Sequence, residues 1–277
     1  MTTTIRPTEP LQQGADGAKS RVYDVCVNSR RVGRITITTD GWFGAAMGRI
    51  EELHIDPADR GRGRGTVAAL AAEEVLRGWG CDQVRLSIPA DADAALRMAR
   101  ALGYLEGSRT MLKQLPSTAP ELAPTVTGRP MTAEEFEGWE RAEVESYARS
   151  WIERGVPEER ARERSAAEHR ALMPEGLATA GTRFLVLEEG GSAVGTVWVA
   201  KAPAPGDGAY IYDVNVAEEH RGRGHGRSLM LLAERAALAD GMDTMGLHVF
   251  ADNTPALRLY ESLGYRPTLF HQYKPLL

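Results

Sequence analysis

Arginine, glycine and histidine alternate through Arg221-Gly222-Arg223-Gly224-His225-Gly226, between a strand-like and a helix-like stretch. Before the run, Ile211 to Val216 is β-branched and aromatic with polar alternation, the pattern of a strand. After it, Leu229, Leu232, Ala233 and Ala236 recur at helical spacing, and Gly241 supplies a stop. A strand therefore feeds a glycine-rich turn that opens a helix, and the chemistry this suits is anion binding. The first N–H groups of a helix lack intrahelical partners and sit at the positive end of its dipole. Glycines let the backbone approach a ligand closely, and arginines add charge-assisted contacts to phosphate. Spacing excludes two familiar phosphate loops. A Walker loop needs Gly-Lys-Ser/Thr where Gly226 is followed by Arg227, and a dinucleotide loop needs a third glycine one residue later than Gly226.

The Arg/Gln-x-x-Gly-x-Gly/Ala loop of the GCN5-related N-acetyltransferases does fit, as Arg221, Gly224 and Gly226. Downstream, Asn253-Thr-Pro-Ala256-Leu-Arg-Leu-Tyr260-Glu-Ser-Leu-Gly264-Tyr265 is similar to that family's second signature. The resemblance implies that Arg221, Gly222, Arg223, Gly224, His225, Gly226, Arg227 and Ser228 hold the pyrophosphate of acetyl-CoA. It implies that the backbone of Val214, Asn215 and Val216 pairs with the pantetheine arm, with Asn253, Ala256 and Tyr260 beside it and no metal required.

Acetylation of an amine by a thioester needs a bound donor, a neutral amine, a stabilised oxyanion and a proton for the departing thiolate. Backbone N–H donors can stabilise an oxyanion by about 3 kcal/mol. By resemblance, Tyr260 is the acid toward sulfur. Phenol and thiol have ordinary pKa values of about 10 and 8.5, so that donation is only weakly driven. The base stays open. His248 occupies a strand position where some relatives carry a glutamate, while Asp213 and Asn215 share one face of the central strand; a water chain or an already neutral amine are further alternatives.

The expected acceptor is a primary amine of a small molecule. The helices expected over Ala133 to Glu153 and Pro157 to Met173 offer Trp139, Tyr147, Trp151, His169 and Met173 as pocket residues. Thr132 and Glu135 form a capping box for the first of these helices. Glu134, Glu135, Glu137, Glu140, Glu143 and Glu145 make it acidic, which can steer a cationic amine but reads more simply as a solvated face.

The same pattern occurs twice. Arg60 to Gly65 precedes Arg221 to Gly226 by 161 residues, and residues 60–104 match 221–265 at 19 of 45 positions. The expectation is an α/β (α+β) protein of two tandem acetyltransferase-like domains, each a mixed, mostly antiparallel twisted sheet flanked by helices. Residues 1–116 form a degenerate first domain, 117–124 a proline-punctuated linker and 125–277 a complete second domain. The first copy is truncated, because nothing helical fits between Pro7 and Val22. It has Ala99, Ala92 and Ser87 where the second has Tyr260, Asn253 and His248. Its loop is intact, so Arg60–Gly65 is a candidate second CoA site, while catalysis is expected in the second copy alone.

Composition narrows the partners. A net charge of −5 and arginine clusters without interleaved aromatics argue against nucleic acid. Cys26 and Cys81, with no metal-ligand neighbours, read as buried residues of a chain in the reducing cytoplasm. No apolar run reaches membrane-spanning length, and the polar start is unlike a signal peptide. Two other functions fit the same motifs: an acyl-CoA-binding regulatory module without turnover, or acetylation of a protein or peptide amine.

Overall fold

A computed structural model of the chain describes residues 2–14, 17–39, 47–153, 155–202 and 208–276. The first copy supplies β1 (Thr3–Pro7), β2 (Gln12–Gln13), β3 (Lys19–Val27), β4 (Arg30–Thr39), β5 (Met47–Ile55), α1 (Arg64–Gly78), β6 (Gln83–Pro89), α2 (Asp93–Ala101) and β7 (Leu105–Gln114). The second supplies β8 (Val126–Pro130), α3 (Ala133–Ile152), α4 (Glu158–Leu172), β9 (Thr182–Glu189), β10 (Ser192–Lys201), β11 (Ala209–Val216), α5 (His225–Ala239), β12 (Thr244–Phe250), α6 (Thr254–Ser262) and β13 (Arg266–Pro275). Among the described residues no helix lies between β1 and β3; the two-residue β2 pairs with β3 there instead. The helix pair α3 and α4 belongs to the second copy alone.

The chain forms two compact units, Met1–Ser108 with Leu269–Leu277, and Arg109–Thr268. In the first, the strand order is β1-β3-β4-β5-β6, and β13 lies antiparallel on β6 from Leu269 opposite Pro89 to Pro275 opposite Gln83. In the second, the order is β7-β12-β11-β10-β9-β8. Each copy thus gives most of its last strand to the unit that the other copy builds.

Both exchanged strands are held in the same way. In the second unit Lys113 Nζ donates to both oxygens of Glu234, at 2.6 and 2.8 Å, and Tyr265 Oη donates to the same carboxylate at 3.3 Å. In the first unit Lys274 Nζ donates to Glu73 at 2.7 Å, and Tyr104 Oη donates to it at 3.0 Å. Glu234 and Glu73 are almost wholly buried, at 0% and 1% exposure, so the lysine is the counter-charge each needs. Burial and the neighbouring carboxylate drive both tyrosines far above the ordinary phenol range. The exchange also closes with matching backbone bonds, Leu115 N–H to Asp243 O at 2.7 Å and Leu276 N–H to Asp82 O at 2.6 Å.

Helix α5 packs Leu229, Met230 and Ala233 on Val197, Ile211 and Leu247, joined by Met111 and Leu115. Helix α1 presents Ala68, Ala69, Ala72 and Leu76 to Ile35, Ile37, Ile50 and Val84. Both cysteines are free and buried. No helix among the described residues is long and apolar enough to cross a membrane.

Two features of the sheets prepare a site. Trp198 on β10 lies opposite Asp213, but its neighbour Val199 lies opposite Ile211, so Tyr212 is an extra residue in β11. A bulge of this kind reverses which face the following residues occupy. Ile211 reaches the α5 core before the bulge, and Val214 and Val216 reach it after, leaving Asp213 and Asn215 on the opposite face. The parallel ladder between β11 and β12 ends at Ile211 opposite Leu247, although the strands continue to Val216 and Phe250. The first unit repeats both features. Glu51 is the extra residue of β5, and the β5–β6 ladder ends at Ile50 opposite Leu86.

Candidate active site

The loop Arg221–Gly226 leads from β11 into α5. Gly222 and Gly224 have φ of +77° and +88°, the left-handed region that other residues adopt only with strain, and a Cβ on either would meet open space. Gly224 caps α5 without a side-chain hydrogen bond, so the first N–H groups of the helix face outward unclaimed by a cap. Gly226 serves packing, because a Cβ there would sit 3.2 Å from Leu259 of α6. Arg221, Arg223 and Arg227 are exposed. Arg221 Nε donates to Val216 O at 3.1 Å, tying the loop to its strand, and Arg227 donates to Ser262 Oγ at 2.8 Å. His225 and Ser228 are buried, so only their backbone is available to an anion; His225 Nε2 lies 3.6 Å from a Glu189 oxygen. An uncapped helix start under exposed arginines and open glycines fits a pyrophosphate.

On the far face of β11, Asp213 accepts a hydrogen bond from Trp139 Nε1 at 3.5 Å. Burial raises the Asp213 pKa above the usual carboxylate range, while Trp139 and the Val214 N–H partly offset this. Tyr260 on α6 is held up at about 12 by burial and then by the charge of Asp213, so it stays protonated at neutral pH beside an acidic group. Aromatic rings continue the wall. Trp198 stacks on Tyr212 at 4.6 Å, Tyr210 meets Tyr212 at 4.9 Å, and Trp139 meets Trp198 edge-on at 5.6 Å. Helix α3 turns one stripe toward this wall, Trp139, Glu143, Tyr147 and Trp151, each four residues from the last. Tyr147 packs on His169 at 5.7 Å and on Trp151 at 6.0 Å, and burial holds Tyr147 and Tyr210 up at about 12.

Of the residues expected to line an acceptor pocket, Trp139, Tyr147, Trp151 and His169 share this network, and Met173 lies in the buried core beside Phe136 and Phe184. Glu143 differs from the solvated face read from sequence. Burial first, and the charge of Asp213 second, raise its pKa well above the carboxylate range. Its signal was the four-residue spacing from Trp139 and Tyr147. Tyr210, Tyr212 and Trp198 gave no such signal, because strand aromatics look the same in a core as in a pocket. His248 is exposed on β12, with its ring 5.2 Å from Phe250. Asn215 is exposed. Asn253 accepts from Ala256 N–H at 3.2 Å, so its side-chain oxygen caps α6.

The first unit differs at the matching positions. Its loop glycines Gly61 and Gly63 have φ of +69° and +73°, Arg60 Nε bonds Ile55 O at 2.7 Å, and α1 also lacks a side-chain cap. Arg64, in the place of His225, is buried and paired with Asp59. On the face where the second unit gathers aromatics, it has a polar cavity of about 530 Å³ lined by Gln12, Gln13, Lys19, Thr38, Arg49 and Glu51, among others. Among the described residues no tyrosine lines that cavity.

A parallel strand pair opening beside an uncapped helix start recurs in both units. The chain belongs to the acetyltransferase (GNAT) family, which it matches over residues 4–104 and 138–265. It is an N-acetyltransferase. It is 34% identical over 220 residues to a mycothiol acetyltransferase of Thermobispora bispora, spanning 77% of this chain and 71% of that one. It is 33% identical over 149 residues to YycN of Bacillus subtilis, described as an uncharacterized N-acetyltransferase, spanning 52% of this chain and 94% of YycN. A solved GCN5-related N-acetyltransferase of Sphaerobacter thermophilus shares the fold with a TM-score of 0.58 at 21% identity, over 92% of this chain and 80% of that one.

Proposed function

We propose that the second unit transfers the acetyl group of acetyl-CoA to a primary amine of a small molecule, and that the first unit serves mainly as structure. The observation that carries this reading is the placing of Asp213 and Tyr260 on either side of β11, Asp213 bonded to Trp139 and Tyr260 packed on the α5 core 6.0 Å from the Tyr265 ring. A desolvated carboxylate and a protonated phenol that feels its charge stand beside the point where β11 and β12 part. The first unit has Glu52 and Ala99 at those positions, and Glu52 is exposed.

The bound thioester supplies the electrophilic carbonyl. Asp213 takes the proton of the arriving ammonium, which leaves a neutral nitrogen able to attack. Backbone N–H donors within the Val214 to Val216 stretch stabilise the developing oxyanion. As it collapses and the C–S bond breaks, Tyr260 gives its proton to the thiolate and takes the second proton of the acylated nitrogen, which restores the phenol and leaves a neutral amide. The loop Arg221–Gly226 and the start of α5 hold the pyrophosphate. Asp213 is favoured over His248 by placement, since it is held by Trp139 in the aromatic wall while His248 is exposed on β12.

The test is a thiol-release assay over a panel of amines, with Asp213→Asn and His248→Ala compared with the parent. Asp213→Asn should lose about a hundredfold or more in turnover, and His248→Ala should keep most of it. The reverse pattern would return the role of base to His248. Acetyl-CoA binding without thiol release for any amine would favour an acyl-CoA-sensing module instead.

A further inference from the structure

The aromatic wall of the second unit holds one more acidic group than the reaction uses. Asp213 on β11 accounts for the proton of the reacting amine. Glu143 then stands on the α3 stripe between Trp139, whose Nε1 bonds Asp213, and Tyr147, which packs on His169. Among the described residues neither Glu143 nor Asp213 has an arginine or lysine partner. The nearby cations are engaged elsewhere: Arg164 pairs with Glu168 at 2.6 Å and lies over Trp151, and Arg162 pairs with Glu145 and Glu158. Burial and the Asp213 charge lift the Glu143 pKa, as expected of a carboxylate lacking a counter-ion. Trp139 and Tyr147 flank Glu143 one turn away on either side and pack on Trp198 and His169, and aromatic rings of this kind attract cations. In the same wall the Trp198 Nε1–H donor and the His169 Nε2 acceptor, on residues 3% and 5% exposed, have no hydrogen-bond partner, and His169 Nδ1–H donates to Ser165 O at 2.7 Å.

Two carboxyl groups on one aromatic wall, neither paired with a protein cation, can both ionise when two positive charges arrive beside them. We propose that Glu143 is the specificity-determining residue of the acceptor site, and that the acceptor is a small aliphatic amine carrying a second cationic nitrogen. This rests on Asp213 and Tyr260 being the reaction centre. The reacting nitrogen approaches Asp213, and the second nitrogen sits against Glu143 and the aromatic faces. An amine that bears a carboxylate, such as a free amino acid, brings a third negative charge into the same desolvated space and is rejected.

The probes are diaminoalkanes from 1,3-diaminopropane to 1,6-diaminohexane, pentylamine and free lysine. Each is measured by calorimetry on the acetyl-CoA-loaded protein and by thiol release. The parent should favour its best diamine over pentylamine by about tenfold or more, which is about 1.4 kcal/mol, and should take lysine least. Glu143→Gln, with its fold checked by circular dichroism, should bring the diamine-to-pentylamine ratio to within about threefold. Glu137→Gln, the same charge change on the exposed side of α3, should leave that ratio as it is. An unchanged ratio in folded Glu143→Gln, or a parent without diamine preference, overturns the proposal. Glu143-dependent diamine binding without thiol release would sustain the cation site and overturn the reaction centre. Thiol release lost in Asp213→Asn, with no Glu143 dependence, would do the opposite.

Discussion

Exchange of the last strands makes a quantitative demand on Lys113. It reaches a fully buried Glu234 at 2.6 and 2.8 Å and lies 5.6 Å from the Tyr265 ring centre. Lys113→Met keeps the apolar stem and removes the charge, which leaves a buried carboxylate with only a tyrosine hydroxyl. Breaking a buried pair in this way costs about 3–5 kcal/mol. With a urea slope of about 3 kcal/mol per molar, the midpoint for the second unit should fall by about 1 M or more. The decisive form is a double-mutant cycle. Lys113→Met combined with Glu234→Gln should show a coupling of about 2 kcal/mol, because the second change removes the charge stranded by the first. Lys274→Met with Glu234→Gln should be additive to within about 0.5 kcal/mol, since Lys274 serves Glu73. Strong coupling of Glu234 to Lys274, with none to Lys113, would mean that each copy keeps its own last strand and would refute the exchange.

Tyr260→Phe conserves the packing of α6 and should cut turnover by about ten- to a thousandfold while acetyl-CoA affinity measured by calorimetry stays near the parent's. Glu143 has a folded pKa raised above its ordinary unfolded value of about 4.3, so ionising it destabilises the fold as pH rises from there through the raised value. Glu143→Gln, which mimics the protonated form, should therefore raise the melting temperature at pH 8 relative to the parent and change it little at pH 4. Thr132→Ala removes the hydroxyl that accepts from Glu135 N–H at 3.3 Å in the capping box, and should cost about 1 kcal/mol in urea unfolding.

The strand–loop–helix units were legible because their periodicities are local and each loop carries its own glycines. The missing helices of the first copy were legible for the same reason, as a short polar segment where a helical stripe was required. The strand exchange was not. Lys113 and Lys274 stand at the same point of the repeat, as do Glu73 and Glu234, so either strand satisfies either sheet by pattern. The two triads are chosen by chain path, which composition does not encode. Glu143 was hidden among six glutamates of one helix, and its direction depends on where α3 lands on β11. The Tyr212 bulge, invisible to simple alternation, settles which side of β11 carries Asp213. Asn253, placed by resemblance beside the pantetheine arm, also opens Asn-Thr-Pro, a local helix-start signal, and its side-chain oxygen accepts from Ala256 N–H.

The account turns on the loop of the second unit being the one that serves catalysis, and matched glycine variants test it most directly. Gly63 and Gly224 both cap a helix, both have left-handed φ, +73° and +88°, and both would present a Cβ to open space. Gly63→Glu and Gly224→Glu therefore carry similar backbone strain, about 1–2 kcal/mol each, and differ in which loop they fill with a carboxylate. In one acetyl-CoA-dependent thiol-release assay, at equal folded concentration, Gly224→Glu should be inactive and Gly63→Glu should keep most of the parent's rate. Activity surviving in Gly224→Glu and lost in Gly63→Glu would place the reaction in the first unit and contradict the assignment.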